Sequence, residues 1–206
     1  IGFKDDKNII FQYEKTVEIF NGDRIVASGG VKKIDVGSNL LGRVIDGLGN
    51  PLDGQGPIGI TETNSINGEN INPFDRGDID QIFDVGIKSI NAVTSIGRGQ
   101  RMGIIAGSGV GKSVLLGMMT RFTKADVVVI GLIGERGREV QAFIQESLGE
   151  EGLAKSVVIA APANVSPVLR LKAAHMTHVI AEYFRDQGLN VLMLVDSLTC
   201  VAHAQR

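Results

Sequence analysis

Residues 102–119 read MGIIAGSGVGKSVLLGMM, an apolar run, a glycine-rich turn and a second apolar run in direct succession. Strand, glycine-rich loop and helix in that order form the setting of a phosphate-binding loop. Gly107, Gly109 and Gly111 lack a Cβ, so the backbone there can turn its N–H groups inward toward an anion. A helix starting near Gly111 adds the positive end of its dipole to the same place. Lys112 would reach the β- and γ-phosphates, and the hydroxyl of Ser113 would hold Mg2+. Ser108, Val110 and Val114 complete the segment expected to lie against the nucleotide. Ala106 stands where the motif usually begins with glycine; it is the smallest alternative and falls at the end of the expected strand, Met102–Ala106.

The remainder of the composition says what kind of molecule carries this loop. With 206 residues and 43% hydrophobic content there is enough chain to bury a core. A formal charge of -2 provides no electrostatic footprint for nucleic acid. No apolar stretch approaches the ~20 residues needed to span a bilayer, and no signal peptide opens the sequence. The single cysteine, Cys200, excludes an internal disulfide and fits a reducing compartment. The start at Ile1 and the stop at Arg206, shortly after a strong strand, are those expected of a piece of a longer protein.

Two regimes follow one another along the chain. Up to about Asp53 the segments Asn8–Val17, Arg24–Ala27 and Leu40–Ile45 are short and β-leaning, with turns at 21–23 and 28–30, and antiparallel pairing is expected. From Gly54 to Asp80 apolar residues thin out, which predicts a linker or an arm wrapped on its neighbour. Beyond Ile82 long apolar strands alternate with amphipathic helices. Asp126–Ile133, Ser156–Ala161 and Val191–Val195 read as buried parallel strands. Residues 137–148 have helical spacing, and 166–187 is a long helix with Ser166 as N-cap, Pro167 at its first position and Gly188 at its end. The fold class is α/β, a parallel sheet with crossover helices, whose ligands belong at the carboxyl ends of the strands.

Two carboxylates fall at such ends. Asp196 closes the strand VLMLV, where these folds hold magnesium. Glu135 follows another strand in the segment GERGREV and would orient the attacking water. Arg136 and Arg138 beside it would meet phosphate oxygens, although a surface ion pair in a charged loop remains open for them. His175 and His178 lie three apart on one helix, but no Cys, Asp or Glu stands at ligand spacing, so a polar helix face is expected rather than a metal site.

The strings GRGQR (97–101), AGSGVGKS (106–113), LIGERGREV (132–140), AEYFRDQG (181–188) and MLVDSLT (193–199) resemble the flagellar and type III protein-export ATPases, relatives of the rotary ATP synthase catalytic subunits. The earlier GDRIVASGG (22–30) and LLGRVIDGLGNPLDG (40–54) extend the resemblance over nearly the whole chain, and SVVIAAPANVSPVLRLKAAH (156–175) is closer to the flagellar branch. The resemblance implies the trailing part of an N-terminal β-barrel domain in 1–38 and the first part of a RecA-like ATPase domain in 39–206. It implies ATP and Mg2+ as ligands, with Lys112, Glu135 and Arg136 catalytic and Ser113 and Asp196 on the metal. It further implies a homo-hexamer with an arginine contributed in trans, working in the cytoplasm at the inner membrane with the export apparatus and its exported proteins or their chaperones. One departure stands out: the family reads DSLTR after the strand-end aspartate, and the last of these positions is Cys200 here. A cysteine side chain has neither the permanent charge nor the reach of that arginine.

Overall fold

A computed structural model describes residues 2–4, 7–9, 18, 20, 22–26, 33–59, 62–68, 71–107 and 109–206, with 2–4 and 7–9 as backbone only. In chain order the elements begin with strands β1 (Gly2–Lys4), β2 (Lys7–Ile9), β3 (Lys33–Val36), β4 (Val44–Ile45), β5 (Glu62–Ser65) and β6 (Ile82–Phe83), then helix α1 (Lys88–Val93) and strand β7 (Ile96–Gly97). Next come α2 (Lys112–Phe122), β8 (Val127–Ile133), α3 (Gly137–Ala142), a π-helical segment Phe143–Leu148 and α4 (Gly149–Ala154). The chain ends with β9 (Ser156–Ala161), α5 (Pro167–Asp186), β10 (Val191–Asp196) and α6 (Leu198–Ala204). Residues 1–31 and 32–206 form two separate units. In the first, β1 and β2 pair antiparallel, Gly2 opposite Ile9.

The second unit is an α/β layer structure around a four-stranded parallel sheet in the order β10-β8-β9-β4. All seven residues of β8 are buried, because alternate side chains enter different cores. Val127, Val129 and Ile133 meet α5 on one face, while Val128, Ile130 and Leu132 meet α2 and the α3–α4 region on the other. Helix α5 presents Ala173, Met176, Ile180 and Phe184 to the sheet, a spacing of three or four that keeps them on one stripe. Its start is built as expected: the Ser166 hydroxyl accepts from the Leu169 N–H at 3.4 Å and Pro167 occupies the first position.

Four expectations need correction or extension. Residues 101–107 carry no strand, and Ile105 is fully exposed. An apolar run becomes a strand only with a neighbour to take its N–H and C=O groups, and among the described residues β10 has β8 alone beside it. Leu40–Ile45 is not an antiparallel strand, although Ile45 makes one isolated antiparallel bridge to Pro51. Ser38–Leu40 forms a 3-10 turn, and Val44 and Ile45 join the parallel sheet opposite Val158 and Ile159. Both of these side chains are buried, one in each core, so they fit a two-sided sheet edge. The helix expected over 137–148 runs on to Ala154, passing through the π-helical segment. Of the N-terminal segments, Arg24–Val26 forms no strand, whereas 10–17, Ala27 and the turn at 28–30 lie outside the described residues.

Within 54–80, β5 pairs antiparallel with β3, and the Tyr183 hydroxyl donates to Glu62 Oε1 at 3.3 Å. Phe74, by contrast, is almost wholly exposed. The stretch is tied at its start by Arg43 and Asp53. Arg43 donates to both carboxylate oxygens, at 2.7 and 3.0 Å, and to the Gly56 carbonyl at 2.7 Å. Asp53 also accepts from the Val44 and Gln55 N–H groups.

The Arg43 hydrogen bonds, and then the two backbone N–H groups, hold Asp53 well below the ordinary carboxylate range against the opposing effect of burial. A depressed carboxyl stabilises the fold above the pKa of the unfolded chain, and that contribution is lost as the pH falls toward the folded value. Asp53→Ala is expected to destabilise the fold at neutral pH, since it removes the carboxylate that Arg43 pairs with. The gap to wild type in urea unfolding should narrow as the pH is taken below about 4.

Candidate functional site

The carboxyl ends of β8 and β10 meet the amino end of α2, and the candidate residues gather there. Gly111 precedes α2 with φ +94 and no side chain caps the helix, so its leading N–H groups are left for another acceptor. Gly109 also has a left-handed φ of +77, which a side chain would resist. A Cβ at Gly107, Gly109 or Gly111 would meet nothing within 4 Å, so the loop borders open space. Val110 and Val114 are exposed on the same loop and first turn. Ser108 lies outside the described residues.

The Lys112 ammonium forms an ion pair with Asp196 Oδ1. This contact bridges 84 residues of sequence and pins the start of α2 to the tip of β10. The peptide after Asp196 is cis. Ser113, Glu135 and Asp196 line one cleft together with Glu139, Val140 and Phe143. Burial works against the charged form of Lys112, but the hydrogen bond and charge of Asp196, helped by Glu135 and Cys200, outweigh it and raise its pKa. Burial raises the pKa of Glu135 as well, assisted by the Asp196 charge and a hydrogen bond with Glu139, while Lys112 opposes. Three carboxyl groups thus line the cleft, and the Lys112 ammonium pairs with one of them, Asp196. That donor set suits a magnesium-bound polyphosphate, in which the metal meets the carboxylates and the lysine meets the phosphates.

Arg136 stands apart from this convergence. It is exposed, does not line the cleft, and bonds Glu139 Oε1 at 3.4 Å. Arg138 is exposed too. Glu139 was not singled out from the sequence. Its position four residues after Glu135, where the chain turns into α3, is the signal that puts it in the cleft. His178 bonds the Ala174 carbonyl at 2.8 Å within α5, and among the described residues no cluster of metal-ligating side chains forms around the histidines. Cys200 sits one turn into α6, its backbone N–H directed at the Ser197 cap. Its sulfur lies 3.9 Å from the Gly134 carbonyl, so the thiol packs against the end of β8 while its position still bears on Lys112.

Residues 86–206 match the family model described as the ATP synthase alpha/beta family, nucleotide-binding domain. The chain belongs to that family. It is 52% identical over its whole length to a flagellum-specific ATP synthase of Pseudomonas aeruginosa, covering 46% of that protein. It is 45% identical, again over its whole length, to a type 3 secretion system ATPase of Xanthomonas euvesicatoria, covering 47% of it. Among solved structures, a prototypical ATPase from the type III secretion system of pathogenic bacteria superimposes with a TM-score of 0.81 at 46% identity, over 84% of this chain and 50% of that one. The assembled ATPase EscN of enteropathogenic E. coli gives 0.78 at 46% identity, over 84% and 42%. The chain therefore spans about half the length of the curated relatives it matches.

The end of β8 is a tight point in this arrangement. Gly134 has φ +78, and a Cβ there would lie 2.5 Å from Cys200 Cβ and 2.8 Å from its sulfur. Gly134→Ala combines a left-handed strain with a clash against the Cys200 side chain, and should destabilise the fold by more than about 1 kcal/mol. Denaturant unfolding checks this; a stability equal to wild type would contradict the packing described.

Proposed function

We propose that the protein containing this chain hydrolyses Mg-ATP at this cleft and couples the hydrolysis to protein export through a flagellar type III apparatus. One observation carries the catalytic part: an uncapped helix start, a lysine, a hydroxyl and three carboxyl groups converge at the carboxyl ends of two adjacent parallel strands. The loop N–H groups from Gly107 to Val114 would bind phosphate, and Lys112 would exchange Asp196 for the β- and γ-oxygens. Ser113 and Asp196 would hold Mg2+, which when bound neutralises phosphate charge, with Glu139 close enough to assist. Glu135 is the group that would accept the proton of the attacking water, and Arg136 would turn inward from Glu139 to phosphate.

The coupling to export rests on the names of the relatives, a flagellum-specific ATP synthase and a type 3 secretion system ATPase. EscN has been solved as an assembly and in complex with its central stalk EscO. That supports a homo-hexamer for the present protein, in contact with the export apparatus and with exported proteins or their chaperones. The domain reading, with 1–38 closing a β-barrel domain and 39–206 opening a RecA-like ATPase domain, belongs to the same proposal, as does a cytoplasmic place at the inner membrane. No helix of the described residues is long and apolar enough to cross a membrane.

Glu135→Gln keeps the side-chain shape and removes the base. In the full-length protein it should leave ATP binding largely intact and lower hydrolysis by ~10²–10⁴-fold, the usual worth of a positioned proton acceptor. Lys112→Ala should remove hydrolysis and weaken nucleotide binding together. Steady-state ATPase and nucleotide titrations read both; full turnover in either variant would defeat the assigned roles.

A further inference from the structure

Among the described residues, one buried side-chain nitrogen has no hydrogen-bond partner, Nε of Arg170. A donor left unpaired out of water is costly, more so when it carries charge, and such groups concentrate where a ligand completes them. Arg170 lies in the second turn of α5, its own N–H donating to the Ser166 carbonyl at 3.1 Å. Its Cδ comes within 3.9 Å of the point where a Cβ of Gly134 would stand, the point that Cys200 touches from the other side. Gly134 immediately precedes Glu135. The loop leading into α5 is also tied to that glutamate, because the Ala163 N–H donates to the Glu135 carbonyl at 3.0 Å.

The carboxylates nearby are already engaged. Asp196 holds Lys112, Glu139 holds Arg136, and Glu135 is hydrogen-bonded with Glu139. Among the described residues no acceptor reaches Arg170 Nε, so the group that completes it is sought in a bound ligand.

Its position says which part of a ligand that is. Helices α2 and α5 cover opposite faces of the sheet, and the lysine from α2 ends at Asp196, on the strand next to the one that Gly134 follows. A phosphate chain starting at the α2 loop and crossing the strand ends past Lys112 meets the α5 side last. We propose that Arg170 is a further ligand-contacting residue of this cleft, its guanidinium edge serving an oxygen of the terminal phosphate of a bound nucleoside triphosphate. The proposal rests on the nucleotide reading of the cleft and deepens it. A planar, permanently charged donor suits that role better than an ammonium.

The test measures dissociation constants of the full-length protein for Mg2+ with a non-hydrolysable ATP analogue and for Mg2+ with ADP. Arg170→Met keeps most of the stem and removes the donors; Arg170→Lys keeps the charge without the fork. Arg170→Met should weaken the triphosphate at least ~10-fold and leave ADP nearly unchanged, since only the triphosphate has the oxygen concerned. Arg170→Lys should lose part of the same preference, and it decides the matter if the methionine variant fails to fold. Equal effects on both nucleotides, or none, would make Arg170 a packing residue and overturn the proposal. Lys112→Ala in the same titration separates the two readings. If wild type binds and Lys112→Ala weakens it while the Arg170 variants keep the triphosphate preference, only the present inference falls. If wild type binds neither nucleotide, both fall.

Discussion

Burial of β8 on both faces, with hydrogen-bonded parallel neighbours on both edges, is the constraint that organises the large unit. Parallel neighbours cannot be joined by tight turns, so the chain must return across a face of the sheet each time. The α3–α4 passage does so on one face and α5 on the other, and each return buries one of the two apolar rows of the same strand. A consequence is that β8, β9 and β10 end on the same rim. The residues that follow them, Glu135, Ala163 and Ser197, are neighbours although they lie far apart in the chain. The hydrogen bonds Ala163 N–H to Glu135 O and Ser197 N–H to Ile133 O close that rim.

The rim is held in tension electrostatically. Lys112 pairs with Asp196 and feels the charge of Glu135, and the pair locks the amino end of α2 against β10. Each partner makes up for the other's lost hydration, since a half-buried ammonium without its carboxylate would face a desolvation cost and no compensation. A ligand that carries its own anions and its own metal substitutes for both partners at once.

The elements legible in the sequence are those whose signals are local. β8, β9 and β10 are continuous apolar runs bounded by polar residues, and α5 has its cap, its proline and its stripe within its own span. The elements that were misread depend on partners elsewhere. Met102–Ala106 is as apolar as a strand yet has no paired neighbour, and Val44–Ile45 is too short to declare its direction until Val158 and Ile159 lie beside it. The π-helical segment has ordinary helical periodicity. It becomes visible only where Gly117 of α2 closes on Ser147, a separation that would put a Cβ 2.6 Å from the serine side chain.

By itself the sequence determined the chemistry available. Gly109, Gly111, Lys112 and Ser113 have the spacing of a phosphate loop, Asp196 ends β10 and Glu135 lies two residues beyond β8. Backbone conformation and strand burial follow from neighbours within a few residues, so such features can be read along the chain. The tertiary structure alone decided which groups share a cleft and which do not. It drew Glu139 in beside Glu135, turned Arg136 outward, set Cys200 against Gly134 and left Arg170 Nε buried without an acceptor. Those outcomes depend on through-space distances between segments up to 84 residues apart, set by how two apolar cores close on one sheet, and no local pattern encodes them.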